Sequence, residues 1–391
     1  MIPGWKIRRE LDRASQRLRA ALGRFYEPFI QRRYDRQRTS LVKVYPGGLP
    51  LTDKVALVLT YQPKGFSASL MQTCAHLRSK GYAPMVVCNA PATDGEIARL
   101  APHVWSILTR PKYGYDFGGY RDGILHLRDI GVVPQHFIIL NDSIWYPLND
   151  ADTLIERMEA SGFGLAGAIL QEGDPAKKAR SSRHRDFIES FFYLVSRACF
   201  ESPAFTRFWT DFPMSNLKFN AVYAGERRFS RVMEEAGQSV GCILTRAAML
   251  DALKVQSADF LRKTLAYAAY TDPGFEAEGA TLLAEFSPDE RWRQRALAHV
   301  TEVTRKRHFH ASFSYASISL LNVPFIKKTS GTILSKGYGL LHLKMRQQYL
   351  RAVEAGDLPP PGTEVREEIL ARQGEGALLM PGKAASGADR G

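Results

Sequence analysis

Short apolar runs alternate with stretches of helical period through the first half of the chain. KVALVLTY (Lys54 to Tyr61) predicts a buried strand, and Ser67 to Lys80 predicts a helix that closes at Gly81. PMVVCN (Pro84 to Asn89) reads as a second strand, Asp94 to Leu100 as a short helix and Val104 to Thr109 as a third strand. Phe117 to Arg128 is then helical, and FIIL (Phe137 to Leu140) makes a fourth strand. Strand and helix in alternation predict an α/β fold with a mainly parallel sheet flanked by helices. Ligands bind beyond the carboxyl ends of such strands. Those ends are Tyr61 to Lys64, Asn89 to Asp94, Arg110 to Asp116 and Asn141 to Ser143, so Tyr61 and Asp94 are candidates by position alone.

A different period governs the first 45 residues. Ile7, Leu11, Ala14, Leu18, Leu22, Phe25 and Phe29 recur every three or four positions, as on one face of a helix, with arginines between them. Two readings of this basic amphipathic arm stay open. It lies on an anionic membrane surface, or it packs on the body or on a partner helix. YPGGLPLTD (Tyr45 to Asp53) is rich in turn formers and reads as a linker. The expected layout is therefore an arm over 1–45, a catalytic domain over 46–245, a helical part over 246–356 that completes the site, and a disordered Pro- and Gly-rich tail over 357–391.

Composition sharpens this picture at three points. The 391 residues are 45% hydrophobic, ample for a packed core, and carry a net charge of +13. Residues 1–45 hold twelve Lys and Arg against four Asp and Glu, so most of the excess belongs to the arm. No nucleic-acid reading motif accompanies it, and nucleic acid is not an expected partner. Cys74, Cys88, Cys199 and Cys242 form no C-x-x-C pair, which argues against a zinc site or disulfide framework and for a reducing compartment. No apolar run reaches the ~18 residues of a membrane span. The expected location is the cytoplasm, with a peripheral contact on the inner membrane under the reading in which the arm lies on lipid.

The candidate chemistry collects at the strand ends. Asn141, Asp142 and Ser143 directly follow an apolar strand, where a carboxylate is well placed to bind Mg²⁺ or Mn²⁺; the bland alternative is an Asx-turn. RPKYGYDFGGYRDG (Arg110 to Gly123) offers Gly114, Gly118 and Gly119 for close backbone approach to a ligand, Tyr113 and Tyr115 for stacking, Arg121 for a phosphate, and Asp116 or Asp122 for hydrogen bonds. The alternative is a tight turn into a capped helix. No G-x-G-x-x-G fingerprint occurs here, which speaks against a dehydrogenase. A phosphate-ester hydrolase would want an aspartate pair at the first strand's end, where Thr60, Tyr61 and Gln62 stand.

RPKYGYDFGGYRDGI followed by FIILNDSIWYPL resembles the rhamnan synthesis F family of bacterial polysaccharide glycosyltransferases. The likeness continues through Phe187 to Trp209, Ala224 to Gly237 and Leu321 to Lys328. The resemblance implies a GT-A-like fold, a nucleotide-sugar donor such as dTDP-rhamnose, and transfer to a growing cell-surface polysaccharide or O-antigen. It sets Asn141, Asp142 and Ser143 where GT-A enzymes carry a D-x-D metal motif, of which one aspartate is present. It makes Glu226 the first candidate for the base of an inverting transfer, with Asp186 and Glu189 in reserve. Glu189, Ser190 and Lys327 are candidates for the acceptor side or for support of the site. His308 or His310 would add a metal or phosphate contact. The rival reading is a catalytically silent sugar- or nucleotide-binding subunit of a membrane-associated assembly complex.

Overall fold

The computed structural model describes residues 23, 25–173, 185–328 and 338–377. Most of the predicted arm, including the stripe from Ile7 to Leu22, lies outside the described residues. The chain divides into two compact units, Met1–Asp142 with Thr153–Thr245, and Ser143–Asp152 with Arg246–Gly391.

The first unit opens with helix α1 over residues 25–41. Strand β1 (Lys43–Pro46) follows, inside the stretch that reads as arm and linker. Then come β2 (Lys54–Thr60), α2 (Ala68–Ser79), β3 (Tyr82–Cys88), α3 (Asp94–Leu100), β4 (Ser106–Thr109), α4 (Tyr115–Asp129) and β5 (His136–Asn141). Local signals account for the helix starts. The Ser67 hydroxyl accepts from the Leu70 N–H at the head of α2, and Thr93 and Glu96 cap α3 reciprocally. β2 has no polar side chain between Lys54 and Thr60, and its residues Val55 to Thr60 are all buried, as a central parallel strand requires.

In the second unit, β6 (Ile144–Trp145) belongs with the C-terminal half of the chain. The first unit resumes with α5 (Leu154–Ala160), β7 (Leu165–Gln171), β8 (Phe187–Ile188), β9 (Phe192–Ser196), α6 (Arg197–Glu201), α7 (Pro203–Thr210), α8 (Lys218–Ala224), α9 (Glu226–Glu235) and β10 (Val240–Leu244). The sheet order is β1-β4-β3-β2-β5-β9-β7-β10, with β8 beside β7. β4, β3, β2 and β5 run parallel; β1 and β9 run against their neighbours. The mainly parallel sheet flanked by helices is the fold class predicted from the alternation of strand and helix.

Helix α4 lies so close to this sheet that side chains would not fit between them. A Cβ on Gly119 would stand 2.2 Å from Leu59 Cδ1, and one on Gly123 would stand 2.4 Å from Leu57 Cδ1. On its other flank α4 meets an aromatic layer, where Phe117 stacks on Trp209 and Phe212 at 5.7 and 5.5 Å between ring centroids.

The second unit is helical. After β6 it contains α10 (Arg246–Lys254), α11 (Ala258–Ala266), α12 (Pro273–Ala284), α13 (Glu290–Lys306), α14 (Phe309–Ser312), α15 (Ser314–Leu321), β11 (Ile326–Lys327), α16 (Tyr338–Glu354) and α17 (Thr363–Ala377). β11 pairs antiparallel with β6, joining Ile326 to Trp145 and Lys327 to Ile144. Two expectations change here. The tail predicted to be disordered from Asp357 is helical over Thr363–Ala377, because Val365 and Ile369, one turn apart, are fully buried and Glu368 accepts from the Trp145 indole at 2.8 Å. The main segment of the second unit begins at Arg246, and Ser143–Asp152, inside the stretch expected to form one domain over 46–245, belongs with it. Among the described residues no helix is long and apolar enough to cross a membrane.

Candidate functional site

Parallel pairing of β2 with β5 matches Leu59 to Asn141, so the chain emerges from both strands at the same edge. Asp142 follows immediately, and its Oδ2 is held by three donors from the end of β2. The Thr60 hydroxyl donates at 2.6 Å, the Tyr61 N–H at 3.1 Å and the Gln62 amide at 3.0 Å. Its own N–H donates to Leu59 O at 3.0 Å. Among the described residues these hydrogen bonds all fall on Oδ2, so Oδ1 is the oxygen that a cation would meet. Thr60 and Gln62 carried no functional signal in the sequence beyond their place at a strand end.

Asn141 joins this edge to the head of α4, donating from Nδ2 to Asp116 Oδ2 at 3.3 Å. The turn before α4 is unusual in its backbone. Gly114 has φ of +82°, and Tyr115, which is not glycine, has φ of +52°. A left-handed residue of this kind costs roughly 1–2 kcal/mol and persists where neighbours hold it. Here the Gly114 N–H donates to Asn216 Oδ1 at 3.1 Å, and the Tyr115 carbonyl accepts from Asn89 Nδ2 at 3.3 Å. Tyr115 and Tyr61 keep exposed rings, 37% and 48% accessible, and the Lys112 amine sits 3.8 Å from the Tyr61 ring centroid.

Beneath this surface Arg110 ties the strand ends together. It donates to Asp122 Oδ2 and Asn89 Oδ1, each at 2.5 Å, and to the Tyr113 carbonyl at 2.7 Å. Burial, with the negative Asp142 and Glu96 nearby, pushes the Cys88 thiol up to about 12, so it carries no nucleophilic thiolate at neutral pH.

Several predicted ligand contacts have other duties. Arg121 is buried and donates to the Trp209 and Thr210 carbonyls and to Asp35, which commits its guanidinium away from a phosphate. Tyr113 is buried against Tyr34 with its hydroxyl on Met214 O, so its ring is not offered for stacking. Asp122 is paired to Arg110 in the interior. Gly118 and Gly119 are required by packing: a Cβ on Gly118 would lie 2.1 Å from the Tyr113 carbonyl oxygen. Asp94 is exposed at the first position of α3.

The acceptor-side candidates meet the same edge from β9. The Asn141 N–H donates to Phe191 O at 3.2 Å, and one residue earlier the Ser190 N–H donates to Glu226 Oε1 at 3.2 Å. Tyr120, wholly buried, sends its hydroxyl to Ser190 O at 2.9 Å. The turn Glu189–Phe191 is therefore fastened to Asn141 on one side and to Glu226 on the other, and Glu189 itself is buried. Glu226 stands at the head of α9 directly after Gly225, where a Cβ would sit 2.4 Å from the Phe117 ring. Gly225 carried no signal in the sequence, since a close approach to a distant aromatic leaves no local pattern.

The remaining candidates belong to the second unit. Ser143 O accepts from the Lys328 N–H at 2.8 Å, Lys327 is buried in β11, and His308 precedes α14 with its ring 5.7 Å from that of His310.

Comparison with known proteins agrees with the resemblance read from the motifs. Residues 85–266 match the family model described as RgpF, Rhamnan synthesis protein F. An uncharacterized protein of Sinorhizobium fredii, y4gN, is 28% identical over 267 residues, which is 68% of this chain and 68% of that protein. Among solved structures, core-mannan synthase A of Aspergillus fumigatus in its Mn/GDP form is 10% identical at a TM-score of 0.30, covering 51% of this chain and 74% of its own. Mannosyltransferase PcManGT of Pyrobaculum calidifontis, in complex with GDP-Man and Mn²⁺, is 11% identical at a TM-score of 0.30, covering 87% and 98%.

Proposed function

We propose that this chain, a rhamnan synthesis F protein by its matched segment, is a GT-A-type glycosyltransferase that takes a sugar from a nucleoside diphosphate. The sugar in this reading is rhamnose or a related deoxyhexose, and the acceptor is a growing cell-surface polysaccharide or O-antigen. The observation that carries the reading is Asp142, a carboxylate fixed through one oxygen by three donors of the neighbouring strand, with the other oxygen spared. A carboxylate so held loses little further freedom when it binds a ligand, which is what preorganisation means at a charged site.

Residues near Asp142 suit the rest of a donor. Tyr61 and Tyr115 offer accessible rings for a base or sugar, and Lys112 offers a cation for a phosphate oxygen. Asp142 Oδ1 is the ligand we assign to Mg²⁺ or Mn²⁺; a hard divalent ion accepts one protein carboxylate and fills its shell with phosphate and water. Such an ion would supply neutralisation of the departing diphosphate.

Glu226 acts as the base in this proposal. It takes the proton of the acceptor hydroxyl as that oxygen bonds to the anomeric carbon, and the bond from that carbon to the diphosphate breaks with its electron pair leaving on phosphate. Attack opposite the leaving group inverts the centre. The hydrogen bond from the Ser190 N–H supports the assignment, because it orients the carboxylate at the edge that also bears Asn141.

Asp142→Asn keeps the shape and removes the charge. We expect that variant to lose transfer by on the order of a hundredfold or more, with its thermal midpoint in the absence of ligand close to that of the parent. A thermal-shift panel of nucleoside diphosphates and nucleotide sugars, with and without Mn²⁺, should show a metal-dependent rise that Asp142→Asn abolishes. Full transfer by Asp142→Ala would sink the role given to this residue.

A further inference from the structure

The helix over residues 25–41 turns its two faces to different purposes. Its inner side is polar and engaged with the first unit. Gln31 donates to Phe212 O at 2.8 Å and accepts from the Met214 N–H at 2.9 Å, and Tyr34 donates to Asp122 at 2.5 Å. Arg38 pairs with Asp129, and Glu27 accepts from Ser215 and Asn220. Its outer side is apolar at one end and basic at the other. Phe25 is 75% exposed, Phe29 67%, Tyr26 48% and Ile30 47%. Arg32, Arg33 and Arg36 are exposed on the next turns of that face, and the Arg32 guanidinium lies 5.8 Å from the Phe29 ring centroid. Single exposed apolar side chains need no explanation, but four within six residues on one helix face do.

We propose that this outer face is a docking surface for an anionic lipid bilayer. Charge and apolarity together select the occupant. The only carboxylates within residues 25–41 are Glu27 and Asp35, both committed inward, Asp35 to Arg121 at 2.7 Å, so the outer face carries positive charge alone. A second copy meeting this face by twofold symmetry would bring three arginines from each chain together with no acid on that face to offset them. Nucleic acid would use the arginines and leave the four apolar side chains in water. A bilayer with acidic headgroups uses both, with the aromatic and aliphatic side chains at the acyl boundary and the guanidinium groups among the phosphates. The count of twelve Lys and Arg against four Asp and Glu in residues 1–45 adds in the same direction. The inward hydrogen bonds fix which face the helix presents before any lipid is met.

The test uses the full chain and sucrose-loaded vesicles, either of phosphatidylcholine alone or with phosphatidylglycerol added. The chain is expected to sediment with the acidic vesicles, and less so as salt rises. Arg32→Gln with Arg33→Gln and Arg36→Gln should lower the partition coefficient by about a hundredfold, some fivefold for each charge. Phe25→Ser with Phe29→Ser should lower it by at least about tenfold. Because all five side chains point outward, thermal midpoints should match the parent. Failure to sediment with acidic vesicles at low salt overturns the proposal, as does equal binding by parent and variants. A chain that ignores vesicles but forms a dimer lost in the phenylalanine variant assigns the face to a second copy. Retention on a nucleic-acid duplex by the parent and the phenylalanine variant alike assigns it there. Sugar transfer is not invoked, so these outcomes stand apart from the fate of the donor-site reading.

Discussion

Arg110 and Asp122 have no accessible side-chain surface, and between them they hold the Tyr113 carbonyl, Asn89 and Tyr34. A buried pair of this kind is expensive to break from one side, because the surviving charge stays in the interior without its partner. Arg110→Met is therefore expected to destabilise the protein by about 3–5 kcal/mol, read from the denaturant midpoint of unfolding. The same replacement frees the turn that sets Tyr115, so any ligand-induced rise in thermal midpoint should shrink with it. At this scale the sequence was only half legible. Asp142 stood out because it follows an apolar strand, whereas Arg121 and Arg110 look alike in a motif dense with charge. Their separation, one toward α7 and Asp35 and the other toward Asp122, is decided by tertiary contacts over distances that no local pattern encodes.

For elements, helix α4 is the instructive case. Gly118 and Gly119 read in the sequence as room for a ligand, whereas Gly118 makes room for the Tyr113 carbonyl and Gly119 for Leu59 of the sheet. Both uses demand the absence of a Cβ, so composition cannot separate them. Gly118→Ala and Gly123→Ala should each destabilise the fold by about 1–3 kcal/mol through overpacking, since the first meets a backbone carbonyl and the second a fully buried leucine. Chemical denaturation of the two variants checks this, and neutral behaviour at Gly118 would mean that the turn before α4 yields easily. The four strands read in the sequence, β2 to β5, were legible to within a residue or two because a central parallel strand is apolar on both faces. β1 was missed, being four residues long with an exposed, mixed pattern that resembles a linker. α17 was missed because Val365 and Ile369 supply a single buried pair within an otherwise polar stretch.

Across the whole molecule, titration offers a check that does not depend on any ligand. Burial raises the thiols of Cys74, Cys88 and Cys199 from 9.0 to about 12. Burial also raises the hydroxyls of Tyr34, Tyr82 and Tyr120. In each case the native state keeps a proton that the unfolded chain releases, so unfolding is helped by rising pH. The stability from these thiols is complete below about pH 9 and is lost progressively between about 9 and 12, at about 1.4 kcal/mol per pH unit for each thiol. Urea midpoints should hold steady up to about pH 8.5 and drop steeply by pH 10.5. Rapid reaction of native Cys74 with a thiol reagent at pH 8.5 would contradict the burial that underlies this expectation. The α/β alternation was legible at this scale, while the transfer of Ser143–Asp152 to the second unit was hidden, because the polar triplet Asn141 to Ser143 reads as a strand end and not as a boundary between units.

The inward face of α1 also bears on how the protein can be handled. Its basic arm invites trimming before β1 as a means of lowering charge. A chain shortened in that way would lose the groups that meet Asp122, Arg121, Asp129 and Ser215, all of them in the unit that bears Asp142. The arm thus ends in a fitted part of the first unit, and it cannot be removed ahead of Lys43 as though it were a detachable tag.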